Sequence, residues 1–167
     1  MAMEKARIAP CPGPPRLDVT IEIPRGSFLK RGSTDHLDFV SPFPCPFNYG
    51  SVAHLLGLEG DLLDAVVLGP RLPRGHRGTY FVYGAVGLTD RGLYDDKLVC
   101  ARQAPSIRQL QSVVRFFGFY AWCKGWLNLA RGQPGPNACE GWCDAHAAIG
   151  RARPLNPAIR EIPRIRF

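Results

Sequence analysis

The sequence has no long apolar run, no internal repeat and no regular pairing of cysteines, and each absence excludes a class of protein. Its longest apolar stretches fall far short of the roughly 20 residues that cross a bilayer, so no membrane contact is expected. The start, Met1-Ala2-Met3-Glu4-Lys5-Ala6-Arg7, carries no apolar h-region; a cytoplasmic protein without a secretory signal is expected. In that compartment the six cysteines are expected to be reduced. Cys139 and Cys143, in a C-x3-C spacing with His146 beyond, are the best zinc candidate, and without a second pair they make a poor one. Without a repeat the chain is not a solenoid or propeller. Acids are also scarce, 14 against 21 Lys and Arg, for a net charge of +7, which points to an anionic partner.

What is present is one domain's worth of chain. The 167 residues, 46% hydrophobic and 21% charged, are enough to bury a core without staples. Three parts are expected: a Pro-rich lead over 1–17, an ordered domain over 18–150, and a basic tail over 151–167 with Arg151, Arg153, Arg160, Arg164 and Arg166. The scarce acids are not scattered. Six of the 14 lie in two knots, 59–64 and 90–96. Crowded carboxylates raise one another's pKa unless a cation neutralises them, so Glu59-Gly60-Asp61-Leu62-Leu63-Asp64, running straight into the apolar Ala65-Val66-Val67-Leu68, suggests a site for a hard metal.

The rest of the chain reads mainly as strands. Asp18 to Pro24 alternates, with Val19, Ile21 and Ile23 on one face and Thr20 and Glu22 on the other. Short strands are expected at Leu37–Val40, Ala65–Leu68, Thr79–Val86 and Leu98–Ala101. Pro42, Pro44 and Pro46 make Ser41 to Gly50 a stiff extended loop that presents Asn48 and Tyr49. Five strands with little helix between them predict a small closed OB-like barrel within an α+β, mainly β fold. Ser106, with Gln109 three residues on, opens one long helix. Ile107, Leu110, Val114, Phe117 and Ala121 form its apolar stripe, and Tyr120 and Lys124 share a neighbouring face. A second, short helix is expected from Glu140-Gly141-Trp142 through Ile149, and the phenylalanines of the long helix, Trp122 and Trp142 are expected in the core.

Five blocks in order resemble the family I soluble inorganic pyrophosphatases over roughly Asp18 to Ile149. They are Ile21-Glu22-Ile23-Pro24 with Lys30, Pro46-Phe47-Asn48-Tyr49-Gly50, the acid knot at Glu59 (the family has D-G-D-P-x-D), Thr89-Asp90 with Asp95-Asp96-Lys97-Leu98-Val99, and Phe116-Phe117-Gly118-Phe119-Tyr120. The resemblance implies hydrolysis of pyrophosphate to two phosphates by a metal-activated water, with Mg²⁺ as cofactor and Mn²⁺ as the alternative. By the same resemblance, Glu59, Asp64 and Asp95 hold the two tighter ions, Asp90 and Glu22 help hold further ones, and Asp61 polarises the water. Lys30, Tyr49, Lys97 and Tyr120 contact the phosphates, and a homo-hexamer is implied.

The departures fall among the substrate donors. Gly32 stands where the family has a second carboxylate, Cys45 replaces a tyrosine, Ala121 replaces the lysine after Tyr120, and the arginine near Leu37-Asp38-Phe39 has no counterpart. Lys124, one turn on, is the candidate replacement for the lysine, with Arg31 or Arg74 for the arginine. Two other readings are a hydrolase of another phosphoanhydride and a non-catalytic barrel that binds polyanions or single-stranded nucleic acid. The binder needs no acid knots, so no nucleic acid is expected.

Overall fold

The computed structural model describes residues 13–31, 37–40 and 43–155, and side chains at all of these but 30, 31 and 37–40. The first strand, β1 (Arg16–Ile23), buries Val19, Ile21 and Ile23 and leaves Glu22 on the opposite face, as alternation requires. It is followed by a small hairpin, β2 (Leu29–Arg31) against β3 (Leu37–Val40). Then come β4 (Asn48–Leu56), β5 (Leu62–Val67), β6 (Arg77–Asp90) and β7 (Leu93–Ala101).

Five of these strands close into a ring. β1 pairs with β4, β4 with β5, β5 with β7 in parallel, β7 with β6, and β6 returns to β1. This is the OB-like arrangement predicted, with one member exchanged. The strand expected at 37–40 lies in the side hairpin, and its place in the ring belongs to β4, which starts inside the segment expected to be a loop. Pro46 is the last proline of that segment, so every residue of β4 has an amide to pair. Gly50 is required there: a Cβ on it would sit 1.9 Å from the Thr20 carbonyl oxygen of β1.

The ring's interior holds Val19, Ile21, Val52, Leu63, Ala65, Val67, Val82, Leu98 and Cys100. Its outer face carries Val66, Val86, Leu88 and Val99, which are covered by α1 (Ile107–Ala130) through Val113 and Phe117. The helix begins as predicted, with Ser106 and Gln109 forming a reciprocal capping box. Its stripe holds but for the first member: Phe117 and Ala121 are buried, Leu110 and Val114 pack partly buried against the sheet beside the fully buried Val113, and Ile107 is 74% exposed.

Two further expectations need correction. Residues Asn137–Cys143 form strand β8 on the edge of β6, and only Ala145–Arg151, α2, is helical. Gly141, at a φ of 90° beside a register shift, breaks the alternation that would have marked the strand. Phe117 is core, whereas Phe119, Trp122 and Trp142 are 50%, 62% and 41% exposed. The tail, expected to be irregular, adds β9 (Arg153–Pro154) to the edge of β4. Residues 1–12 of the lead and Arg160, Arg164 and Arg166 lie outside the described residues.

Candidate active site

The acid-bearing strands meet on the outer face of the ring, beside α1. Parallel pairing sets Asp64 on β5 opposite Lys97 on β7, and antiparallel pairing sets Ser51 on β4 opposite Asp64. Alternation on β7 then gives Asp95, Lys97 and Val99 to the outer face and Asp96, Leu98 and Cys100 to the other. Two loci 33 residues apart in sequence thus become one surface.

At its centre the Lys97 ammonium bridges the carboxylates of Asp64 and Asp95. The Tyr49 hydroxyl donates to Asp64 Oδ2 at 2.6 Å, and the Lys97 ammonium stands 5.9 Å from the centre of the Tyr49 ring. Burial alone would lower the Lys97 pKa, but Asp64, Tyr49 and Asp95 around it hold it well above the ordinary lysine value. Burial and the neighbouring Asp64 push the Tyr49 phenol up, so it stays a donor.

The surrounding acids are less well compensated. Glu59 is pushed up to about 8, chiefly by burial and then by the charge of Asp95. Asp95 is raised by burial and by Asp64, against the opposing pull of Lys97. Glu22 rises to about 7 through burial, even though the Ser51 hydroxyl donates to its Oε1 at 2.6 Å; the charges of Asp64 and Asp61 add to the rise. Glu59 Oε2 and Asp95 Oδ1 are buried with no hydrogen-bond partner, an omission that costs about 1–3 kcal/mol per group in a protein interior. Oxygen-rich, underpaired carboxylates are what Mg²⁺ binds, so the donor set fits a hard divalent ion. Among the described residues no three acidic, histidine or cysteine groups already stand around one point, and the Lys97 ammonium lies between Asp64 and Asp95.

Asp61 closes the turn between β4 and β5. Its carbonyl accepts from Gly57 N at 2.8 Å, and Gly60 takes a φ of 93° that suits glycine. The charges of Asp61 and Arg74 both act on Glu22, the first raising its pKa and the second lowering it. Asp90 differs from the others. Burial pushes its pKa up, but Lys124 at 2.5 Å, Asn128 at 3.2 Å and Arg91 prevail and hold it below the usual carboxylate range. Tyr120 stacks on Phe116 at 6.4 Å and lies under the Lys124 ammonium. Lys30 lies on β2 opposite Phe39, with its side chain outside the described set.

The structure therefore brings together Glu22, Tyr49, Glu59, Asp61, Asp64, Asp95 and Lys97, and sets Asp90, Tyr120 and Lys124 on the α1 side. Sequence reasoning missed Ser51 and Asn128, the partners of Glu22 and Asp90; neither belongs to a motif, and only the strand and helix registers reveal them. It also misjudged Asn48, which is fully buried. Its amide accepts from Arg25 N and Leu72 N and donates to the Val67 and Pro70 carbonyls, so it ties the loop after β1 to the end of β5 and the loop that follows it instead of facing a ligand.

Fold and site together define an OB-like α+β protein whose sheet gathers underpaired carboxylates beside lysine and tyrosine side chains. The family model for inorganic pyrophosphatase matches residues 19–151, and the chain belongs to that family. The inorganic pyrophosphatase of Corynebacterium glutamicum is 34% identical over 109 residues, covering 58% of this chain and 66% of that protein. That of Streptomyces coelicolor is 36% identical over 110 residues, covering 58% and 64%; both matches thus span just under two thirds of the relatives' length. Among solved structures, the inorganic pyrophosphatase of Neisseria gonorrhoeae aligns with a TM-score of 0.62 at 25% identity, covering 81% of this chain and 86% of that one. The Thermus thermophilus enzyme aligns with a TM-score of 0.64 at 24% identity, covering 86% and 89%.

Proposed function

We propose that this chain hydrolyses inorganic pyrophosphate to two phosphates with Mg²⁺, or alternatively Mn²⁺, as cofactor. The observation that carries the reading is the Lys97 bridge between Asp64 and Asp95, beside buried carboxylate oxygens that have no partner. Glu59, Asp64 and Asp95 would hold the tighter ions, and Glu22 and Asp90 would help with further ones. When bound, the metal neutralises the polyanionic substrate and acidifies the attacking water. Asp61 accepts that water's proton as it attacks one phosphorus, and the bond from phosphorus to the bridging oxygen breaks to release the second phosphate.

The Lys97 ammonium has three donors and spends two on carboxylates, which leaves one for a phosphate oxygen. Tyr49, Tyr120, Lys124 and Lys30 supply the remaining donors, and Arg74 stands in for the missing arginine. Charge built up on the phosphate oxygens is thereby met by groups fixed before the reaction begins. Cytoplasmic residence and a homo-oligomer belong to the same reading. No helix among the described residues is long and apolar enough to cross a membrane, and the exposed Phe119, Trp122 and Trp126 on α1 offer a surface for a second copy.

The test is phosphate release from pyrophosphate with Mg²⁺ or Mn²⁺, before and after EDTA. Release that EDTA abolishes and added metal restores is expected. No release with either metal would overturn the reading.

A further inference from the structure

The first acid knot opens with Glu59, one methylene longer than the aspartate of the family's D-G-D-P-x-D, and the fold shows where the extra length goes. The turn from β4 to β5 begins at Gly57, which is buried. A Cβ built on Gly57 would stand 2.6 Å from Glu59 Oε2, 2.7 Å from its Cδ and closer still to its Oε1. These are the three nearest atoms, so the Glu59 carboxylate folds back over the glycine and fills the space that a side chain would take. The turn's other glycine is there for a different reason. Gly60 takes a φ of 93° with nothing within 4 Å of a Cβ, so its backbone conformation favours glycine. Gly57 is not among the glycines at positive φ. Its conformation suits other residues, and what crowds a side chain there is the Glu59 carboxylate.

Glu59 Oε2 is buried with no hydrogen-bond partner among the described residues. No donor pins that oxygen, so its place is set by packing, and Gly57 supplies the room. A methyl added at Gly57 would meet the far end of a flexible side chain and no backbone atom among its three nearest. Overpacking of that kind drives the side chain into another rotamer. The methyl would therefore displace the carboxylate and spare the turn, whose Gly57 amide would still donate to the Asp61 carbonyl.

We propose that Gly57 is a positioning residue for Glu59, keeping open the space from which the longer acid presents its carboxylate to the metal. This rests on the proposed role of Glu59 as a metal ligand, and the test reads metal binding instead of hydrolysis. Mg²⁺ affinity is measured by titration calorimetry, and folding by thermal melting in EDTA. Gly57→Ala should melt in EDTA like the parent and bind Mg²⁺ about 10- to 100-fold more weakly, the usual cost of removing the support of a metal ligand. Glu59→Asp, whose carboxylate is shorter by a methylene, should abolish that sensitivity. Adding Gly57→Ala to Glu59→Asp should change the affinity by less than about twofold, as for an uncoupled pair.

Unchanged Mg²⁺ affinity in Gly57→Ala overturns the proposal. An equal loss with and without Glu59→Asp overturns it too, because the effect would then belong to the turn and not to Glu59. A clear fall in the melting temperature of Gly57→Ala in EDTA does the same, since the methyl would be straining the backbone. A parent that binds no Mg²⁺ sinks this proposal together with the metal reading. A parent that binds Mg²⁺, loses affinity as expected in Gly57→Ala and yet releases no phosphate sinks hydrolysis alone and supports the role of Gly57.

Discussion

On one face of β7, Asp95 shares a lysine with Asp64, is pushed up by burial and has an oxygen with no partner. On the other face, its neighbour Asp96 is 5% exposed and fully matched. Arg151 of α2 grips it at 2.9 and 2.8 Å, and the Cys143 thiol faces the same oxygen at 3.7 Å. The hydrogen bonds to Asp96 hold the Arg151 guanidinium well above the ordinary arginine value. Bidentate arginine with carboxylate is the arrangement of a pair that fixes a fold, and it ties α2 over that end of the ring. Two adjacent aspartates thus differ in how completely they are paired: the acid whose hydrogen bonds are complete holds structure, and the acid left incomplete is the one proposed to take a ligand.

The sharpest way to break this comparison is through the incomplete side. Asp61→Asn leaves the bond to Gly57 intact, since that bond uses the backbone carbonyl, and removes the carboxylate that would accept the proton. The expected result is a fall in kcat of about 10²- to 10⁴-fold, the usual worth of a general base, in a chain that still folds. Normal turnover would remove Asp61 from the proton-transfer role.

The complete side should respond in the reverse sense. Arg151→Gln strands the buried Asp96 charge, and stability should fall by about 2 kcal/mol. That is less than the roughly 3–5 kcal/mol of a fully enclosed pair, because the Arg151 side chain is 34% exposed and partly screened. Adding Asp96→Asn should recover part of the loss, since no charge is then left unpaired. Chemical denaturation of the three variants measures both steps. An unchanged midpoint for Arg151→Gln would mean that the pair does not anchor α2.

Much of this division is legible in the amino-acid sequence alone. Alternation around Ile21 and the capping box at Ser106 are local signals that the fold bears out, and the two acid knots, equally plain in the sequence, meet across the paired β5 and β7. Asp96 is legible only as a member of a knot. Its separation from Asp95 depends on which face of β7 meets α2, and Arg151 lies 55 residues away. β4 escapes sequence reading for a related reason. Gly50, Ser51, Ala53 and His54 lack the apolar and β-branched character of a strand, and the register breaks between Val52 and Leu56. The strand forms because β1 and β5 flank it, a tertiary cause that composition does not carry. Trp122 and Trp142 read as core on hydrophobicity alone, which says what a residue favours and not what room the sheet leaves for it.

The smallest expected effect joins the two sides through pH. In the unfolded chain glutamates titrate near about 4.3, whereas folded Glu22 and Glu59 titrate at about 7 and about 8. Between those values the folded, metal-free chain keeps protons that the unfolded chain has shed. Stability is then present in full below the unfolded pKa and is lost as pH rises through the folded ones. Asp90, held low by Lys124, has the opposite sign, but its window lies at acid pH and does not overlap. The melting temperature in EDTA should therefore fall by on the order of a few degrees between about pH 5.5 and 8.5. Glu59→Gln should flatten the upper part of that slope, and Mg²⁺ should oppose it by binding the ionised carboxylates. Arg151→Gln should lower the melting temperature across this whole range, because it breaks the Asp96 pair on the other face of β7. A slope of the other sign would mean that the carboxylates on the Asp95 face are paired as well as Asp96 is, and the difference between the two faces of β7 would be gone.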